Sequence, residues 1–149
     1  MELLTVTNTT LLNVSLLLLR LTVGIILFLA GAGKVLGWFG GLGIEATINI
    51  FVSQMGIHPI LAYLSCYTEL IGGFLLIIGL LTRPAAFAIT INMLVAAVVT
   101  LPNGFLKGAS YPFSMMVSSL IILLAGPMAY SVDAWLLSGR KGGAGFKRV

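Results

Sequence analysis

Four long apolar runs divide the chain: Leu11–Ala32, Ile60–Leu81, Ala85–Leu101 and Tyr111–Gly126. A helix needs about 20 apolar residues, range ~17–25, to cross a hydrocarbon core of ~30 Å. The first two runs reach that length, and flanking turns extend the last two. The pattern predicts an all-α fold, an integral membrane four-helix bundle forming a single transmembrane domain over residues 1–149. Between the first two runs, "IEATINIFVSQM" sets Ile44, Ile48, Phe51, Val52 and Met55 at helical spacing, with Glu45, Asn49, Ser53 and Gln54 around the rest of the turn. That reads as a short amphipathic helix lying in the membrane interface. The preceding "GKVLGWFGGLG" joins glycines to Trp38 and Phe39, residues that favour the same interface. His58-Pro59 ends the loop, because a residue before proline is pushed out of the helical region. His58 reads as a solvated loop residue, with no second histidine to share a metal. "LLTRPAA" is too short to separate the second and third spans, so they should be antiparallel neighbours. After the fourth span the pattern breaks at Gly126-Pro127 and restarts as a second short interfacial helix. Ser131 is its N-cap, Asp133 complements its dipole and Trp135 rests on the interface.

Composition agrees with lipid as the solvent. Of 149 residues, 59% are hydrophobic and 8% charged, whereas a soluble domain is roughly a quarter charged. A cleaved signal peptide is not expected: Glu2 is the only early charge, Arg20 interrupts the first run, and no small-residue cleavage site follows a short core. The net charge is +4, and its distribution sets the expected orientation. Arg83, Arg140, Lys141, Lys147 and Arg148 fall on the side of the termini, and Lys34 and Lys107 on the other. Basic residues near span ends stay cytoplasmic, so both termini should be inside and the Gly33–Pro59 loop outside. The basic tail, residues 138–149, suits topology or anionic lipid better than nucleic acid, which is set aside as a partner. Cys66 is the only cysteine, so it reads as packing rather than as half of a redox pair.

Against this background Glu69 stands out in the second span. A charged residue at a span's centre costs about 2.5–3.5 kcal/mol on insertion scales, so it should face protein. Its neighbours at helical spacing are Ala62, Ser65, Cys66, Gly72 and Gly73, small residues that let another helix approach. On the first span, Asn13, Leu17, Arg20, Gly24, Leu27, Gly31 and Lys34 share one face. Counting ~1.5 Å per residue from Leu11 and from Ile60 puts Arg20 and Glu69 each ~13 Å from opposite edges, so both near the midplane. The expected pair is therefore Arg20–Glu69, with Asn92 of the third span as hydrogen-bond companion and arginine's planar fork bonding both carboxylate oxygens. Two readings stand: a clasp that fixes helix register, and a polar site for a proton or a head group such as a quinone carbonyl. Lys34, Tyr111, Ser114 and Ser118 are candidates to extend the track, Ser119 pointing elsewhere; Gly24, Gly31, Gly72 and Gly73 are the packing candidates. No residue is marked as catalytic or as a metal ligand.

The runs "LLLRLTVGIILFLAGAGKVLG", "ELIGGFLLIIGLLTRPAAFAITINMLVA", "LPNGF" and "GPMAYSVD" jointly resemble the DoxX family of small four-helix bacterial and archaeal membrane proteins. The resemblance lands on Arg20, Lys34, Glu69, Gly72-Gly73, Arg83-Pro84, Asn92 and Asp133. It implies a multi-pass protein of the bacterial or archaeal cytoplasmic membrane. It further implies a link to respiratory or redox systems, because the family is named for polypeptides found with terminal oxidase and thiosulfate:quinone oxidoreductase. The first expectation is a small membrane subunit associated with a redox complex, holding no cofactor of its own, with a quinone as candidate ligand and other membrane subunits or a second copy as partners. The second is a self-contained quinone-linked oxidoreductase. A small transporter or proton path ranks third. Whether the chain is itself an enzyme is left open by its residues.

Overall fold

The computed structural model describes residues 9–126 and 130–141, so Lys147 and Arg148 of the basic tail lie outside the described residues. Among the described residues six α-helices follow one another: α1 (Thr9–Leu36), α2 (Ile44–Met55), α3 (Pro59–Ile78), α4 (Thr82–Thr100), α5 (Ser110–Ala125) and α6 (Val132–Lys141). Four are long and apolar enough to cross a membrane, over Thr9–Leu36, Pro59–Ile78, Thr82–Asn103 and Phe105–Ala125. The third and fourth spans are longer than their apolar runs suggested. A 3₁₀ turn at Leu101–Asn103 and a wide π turn at Phe105–Ala109 carry them on. At its other end α4 begins at Thr82, because Pro84 falls in the first turn, where a missing N–H costs nothing. His58 is exposed and caps α3, its Nδ1 accepting the Ile60 amide (3.4 Å), with Pro59 at the first helical position.

The spans form an antiparallel ring. α1 packs chiefly on α3 and α4 on α5, with α3–α4 and α1–α5 contacts closing it. Val23, Leu27, Leu76, Ala86, Ile89, Met93 and Ile122 fill the centre. The outward faces carry Ile60, Leu64, Val98 and Leu124, each more than 60% exposed, which suits hydrocarbon and not water. Between α1 and α3 the backbones nearly touch. A methyl group on Gly31 would lie 2.4 Å from the Leu70 amide nitrogen, and one on Gly73 would lie 2.5 Å from that of Phe28. These contacts fix the register: Gly24 lies opposite Gly73, and Gly31 opposite Leu70.

At the end of the bundle where α1 finishes, α2 lies across α1 and α3. Ile48 packs with Ala62 and Cys66, and Val35, Ile44, Phe51 and Ile57 surround them. At the opposite end α6 abuts the α3–α4 turn, where the Asp133 amide donates to the Gly79 carbonyl (3.0 Å).

Candidate functional site

Glu69 is buried, as its small neighbours require, but its partner is Lys34. The Lys34 ammonium donates to both carboxylate oxygens, at 2.7 Å to Oε1 and 2.6 Å to Oε2. The expected Arg20–Glu69 pair is not formed, and geometry gives the reason. Helical side chains lean toward the N-terminus of their own helix. α1 and α3 are antiparallel, so Lys34 leans down into the bundle while Glu69 leans up to meet it. Arg20, on the same helix, also leans down, which carries it away from Glu69 toward the α6 end, where it packs against Gly79. The depth estimate failed because it counted from Leu11, which is 65% exposed. α1 has 28 residues against 20 in α3 and overhangs it at that end. Asn92 also misses the pair. Its amide donates to the Ser65 carbonyl at 3.4 Å, one turn from Glu69.

The pair is asymmetric: the Lys34 side chain is 30% exposed and that of Glu69 only 5%. Lys34 reaches the surface in a cleft of about 370 Å³ between the end of α1, the Trp38–Leu42 turn and α2. Trp38, Phe39 and Phe51 line it with rings and Thr47 with a hydroxyl. The ammonium sits 5.8 Å from the Phe51 ring centroid, within the range of cation–π attraction. Its two hydrogen bonds both go to oxygens of Glu69, so an ammonium with three N–H groups has the capacity for one more acceptor. Cys66, fully buried, lies one turn from Glu69 beneath α2.

The expected extension along α5 is only partial. Ser114 donates back to its own helix at Ser110 (2.8 Å), while Tyr111, exposed at the start of α5, stands within electrostatic reach of Glu69. Ser118 is half-buried. The buried hydroxyl is Ser119, which meets Thr90 of α4 at 2.9 Å. Of the packing candidates, Gly24, Gly31 and Gly73 lie in the α1–α3 seam, while Gly72 faces Ile89 of α4. Among the described residues no three His, Cys, Asp or Glu side chains converge as a metal site would require.

A second polar cluster, at the α6 end, was only half visible in the sequence. Ser131 caps α6 as expected, accepting the Ala134 amide (3.1 Å). Asp133 does more than complement a dipole. Its two oxygens accept the Leu81 and Thr82 amides, each at 2.8 Å, and so cap α4 from a distant part of the chain. Burial pushes the Asp133 carboxyl up, but these hydrogen bonds and the Arg20 guanidinium outweigh it and hold it below the usual carboxylate range. Arg20 itself donates to the Tyr130 carbonyl at 2.7 Å. Four helices are thus joined at one point.

The fold and these two clusters define a small multi-pass membrane protein with an ion pair buried in its bundle and a cleft leading to the lysine. The chain belongs to the DoxX family, whose model matches residues 15–102. It is 34% identical over 131 residues to a protein of Bacillus subtilis (strain 168) named "Putative oxidoreductase CatD", a match covering 85% of this chain and 90% of that relative. No solved structure matches the chain.

Proposed function

We propose that the protein is a membrane redox subunit whose Lys34 cleft takes a quinone head group. The observation that carries this reading is the asymmetry of the pair: a fixed ammonium, partly exposed at the base of an aromatic cleft, backed by a buried carboxylate. Lys34 would donate its third N–H to a ring carbonyl, Trp38 and Phe51 would flank the ring, and Glu69 is positioned to exchange a proton through Lys34. The cleft volume falls within the ~300–1,000 Å³ usual for small-molecule sites. Leu29 and Ala30 extend it along α1 toward the lipid, a route that an isoprenoid tail can follow. Electrons would pass to or from a partner subunit in the same membrane, the bacterial or archaeal cytoplasmic one, with the cleft on its outer side. The relative's name also favours a second reading, in which the chain is itself an oxidoreductase.

The test uses Trp38 as reporter, since the chain has two tryptophans and Trp135→Phe leaves one. In nanodiscs, decylubiquinone should quench Trp38 saturably. Lys34→Met should abolish saturation, and so should Ala30→Phe, which fills the cleft while keeping both charges of the ion pair; Lys107→Met should not. Quenching that rises linearly, or that is unchanged by the two cleft variants, overturns the proposal.

A further inference from the structure

We infer that α2 is a movable lid over the Lys34–Glu69 pair, hinged at Gly43 and Gly56. The inference concerns access to the cleft just described and rests on that ligand reading only in the second arm of its test.

The chain is pinned to α1 up to the first hinge, and beyond it α2 is held by a small apolar seat. The Gly41 backbone lies directly on Gly33 of α1, so close that a methyl group there would be 2.1 Å from the Gly33 oxygen. The Gly43 amide donates to the same carbonyl at 3.2 Å. Gly43 itself has φ 78° and Gly56 has φ 64°, conformations that L side chains rarely adopt. Yet a methyl group on either would meet nothing within 4 Å. Close packing therefore does not explain these two glycines; the positive φ at each end of α2 does, Gly56 as the left-handed cap of the helix, and these are the positions about which α2 can turn. Hinges of moving elements are a few terminal positions of this kind.

Between the hinges α2 is a self-contained body. Its helical bonds are internal, and the Gly56 and Ile57 amides close onto Phe51 at its end. The polar tie to α1 is long, Thr47 Oγ1 to the Lys34 carbonyl at 3.4 Å. What seats the helix is one small apolar patch, Ile48 on Ala62 and Cys66 with Ile44 and Phe51 beside it. Phe51 is also the ring nearest the ammonium, and Thr47, Ile50 and Phe51 form one wall of the cleft. Tilting α2 outward separates that wall from α1, widens the route to Lys34 and uncovers Cys66. It breaks no backbone hydrogen bond inside the helix.

Cys66 supplies the assay, being the chain's only thiol and fully buried under Ile48. In nanodiscs, N-ethylmaleimide should modify it slowly but measurably, followed by intact mass. Ile48→Ala should raise the rate at least about tenfold, the change expected for each 1.4 kcal/mol of seating lost. Leu124→Ala, on the outer face of α5, should not. No reaction over hours in either the native protein or Ile48→Ala, or rates that simply follow global unfolding as SDS is raised, would show α2 to be a fixed wall. In the second arm, Ile48→Cys is joined to Cys66 by oxidation or by a short bifunctional maleimide, in the Trp135→Phe background. Decylubiquinone quenching of Trp38 should then start at least tenfold more slowly, and recover when an oxidised link is reduced. Equal onset with the cross-link verified by mass overturns the lid. Absence of quenching in every form counts against the quinone reading, and the Cys66 rates then decide the lid alone.

Discussion

Removing one partner of the Lys34–Glu69 pair should cost stability unequally. Lys34→Met deletes two charge-assisted hydrogen bonds, at 2.6 and 2.7 Å, and strands a carboxylate whose side chain is 5% exposed. Stranding a buried charge in this way costs ~3–5 kcal/mol. There is an escape, since the carboxylate can take up a proton instead, and protonating an ordinary glutamic acid at pH 7 costs about 3.7 kcal/mol. The expected loss is therefore about 3–4 kcal/mol. Glu69→Met leaves the lysine, which is 30% exposed at the cleft and can swing its ammonium to water along a flexible stem. That loss should be about 1–2 kcal/mol, the scale of an ordinary hydrogen bond. The double variant strands nothing, so it should be less damaged than the sum of the singles, by a coupling of about 1–3 kcal/mol. SDS-titrated unfolding in mixed micelles measures all four corners of the cycle. Additive losses would refute the pairing, and a larger loss for Glu69→Met than for Lys34→Met would refute the argument from exposure. The Arg20→Leu and Glu69→Leu cycle is the control and should be additive.

Gly31→Ala should destabilise by roughly 1–3 kcal/mol through overpacking against the Leu70 backbone, while Gly72→Ala, which meets only the Ile89 side chain, should cost less in the same assay. Asp133→Asn keeps one acceptor oxygen where α4 uses two and should lose about 0.5–2 kcal/mol, as other cap removals do. Because the folded carboxyl lies below its ordinary value, its contribution is present above about pH 3.9 and is lost as the pH falls through the lower folded value. Melting of wild type between pH 6 and 3 should therefore show an acid loss that Asp133→Asn lacks. For topology, single cysteines at Ser53 and Ser138 in a Cys66→Ala background should differ on intact cells. An impermeant maleimide should label position 53, and labelling of 138 alone would reverse the orientation.

The four spans were legible because length and apolarity are all a bilayer asks of a helix, and α2 because its apolar residues repeat at helical spacing. The burial of Glu69 followed from the small residues around it. Its partner did not follow, because the ends of an apolar run do not mark the ends of packed contact. The glycines held a better signal. Setting Gly31 against Leu70 and Gly73 against Phe28 puts Lys34 opposite Tyr67, within a turn of Glu69, and carries Arg20 past the end of α3. The Asp133 cap was out of reach, since it joins residues 52 apart through a turn in which Leu81 has the unusual φ of 49°.

The Asp133 cap also bears on the order of assembly. α4 contains no side chain that closes its own first turn, and the carboxylate that does so is made 51 residues after Thr82. Until residue 133 is made, the α4 amides at Leu81 and Thr82 lack the acceptors they have in the folded bundle. They gain their protein partner only once the strand of synthesis has passed residue 133, and that same event brings Tyr130 to Arg20 of the first span. One late segment thus closes the earliest and middle helices together. The hydrogen bonds that join these helices wait on residues 130–133, and a chain stopped short of that segment lacks them.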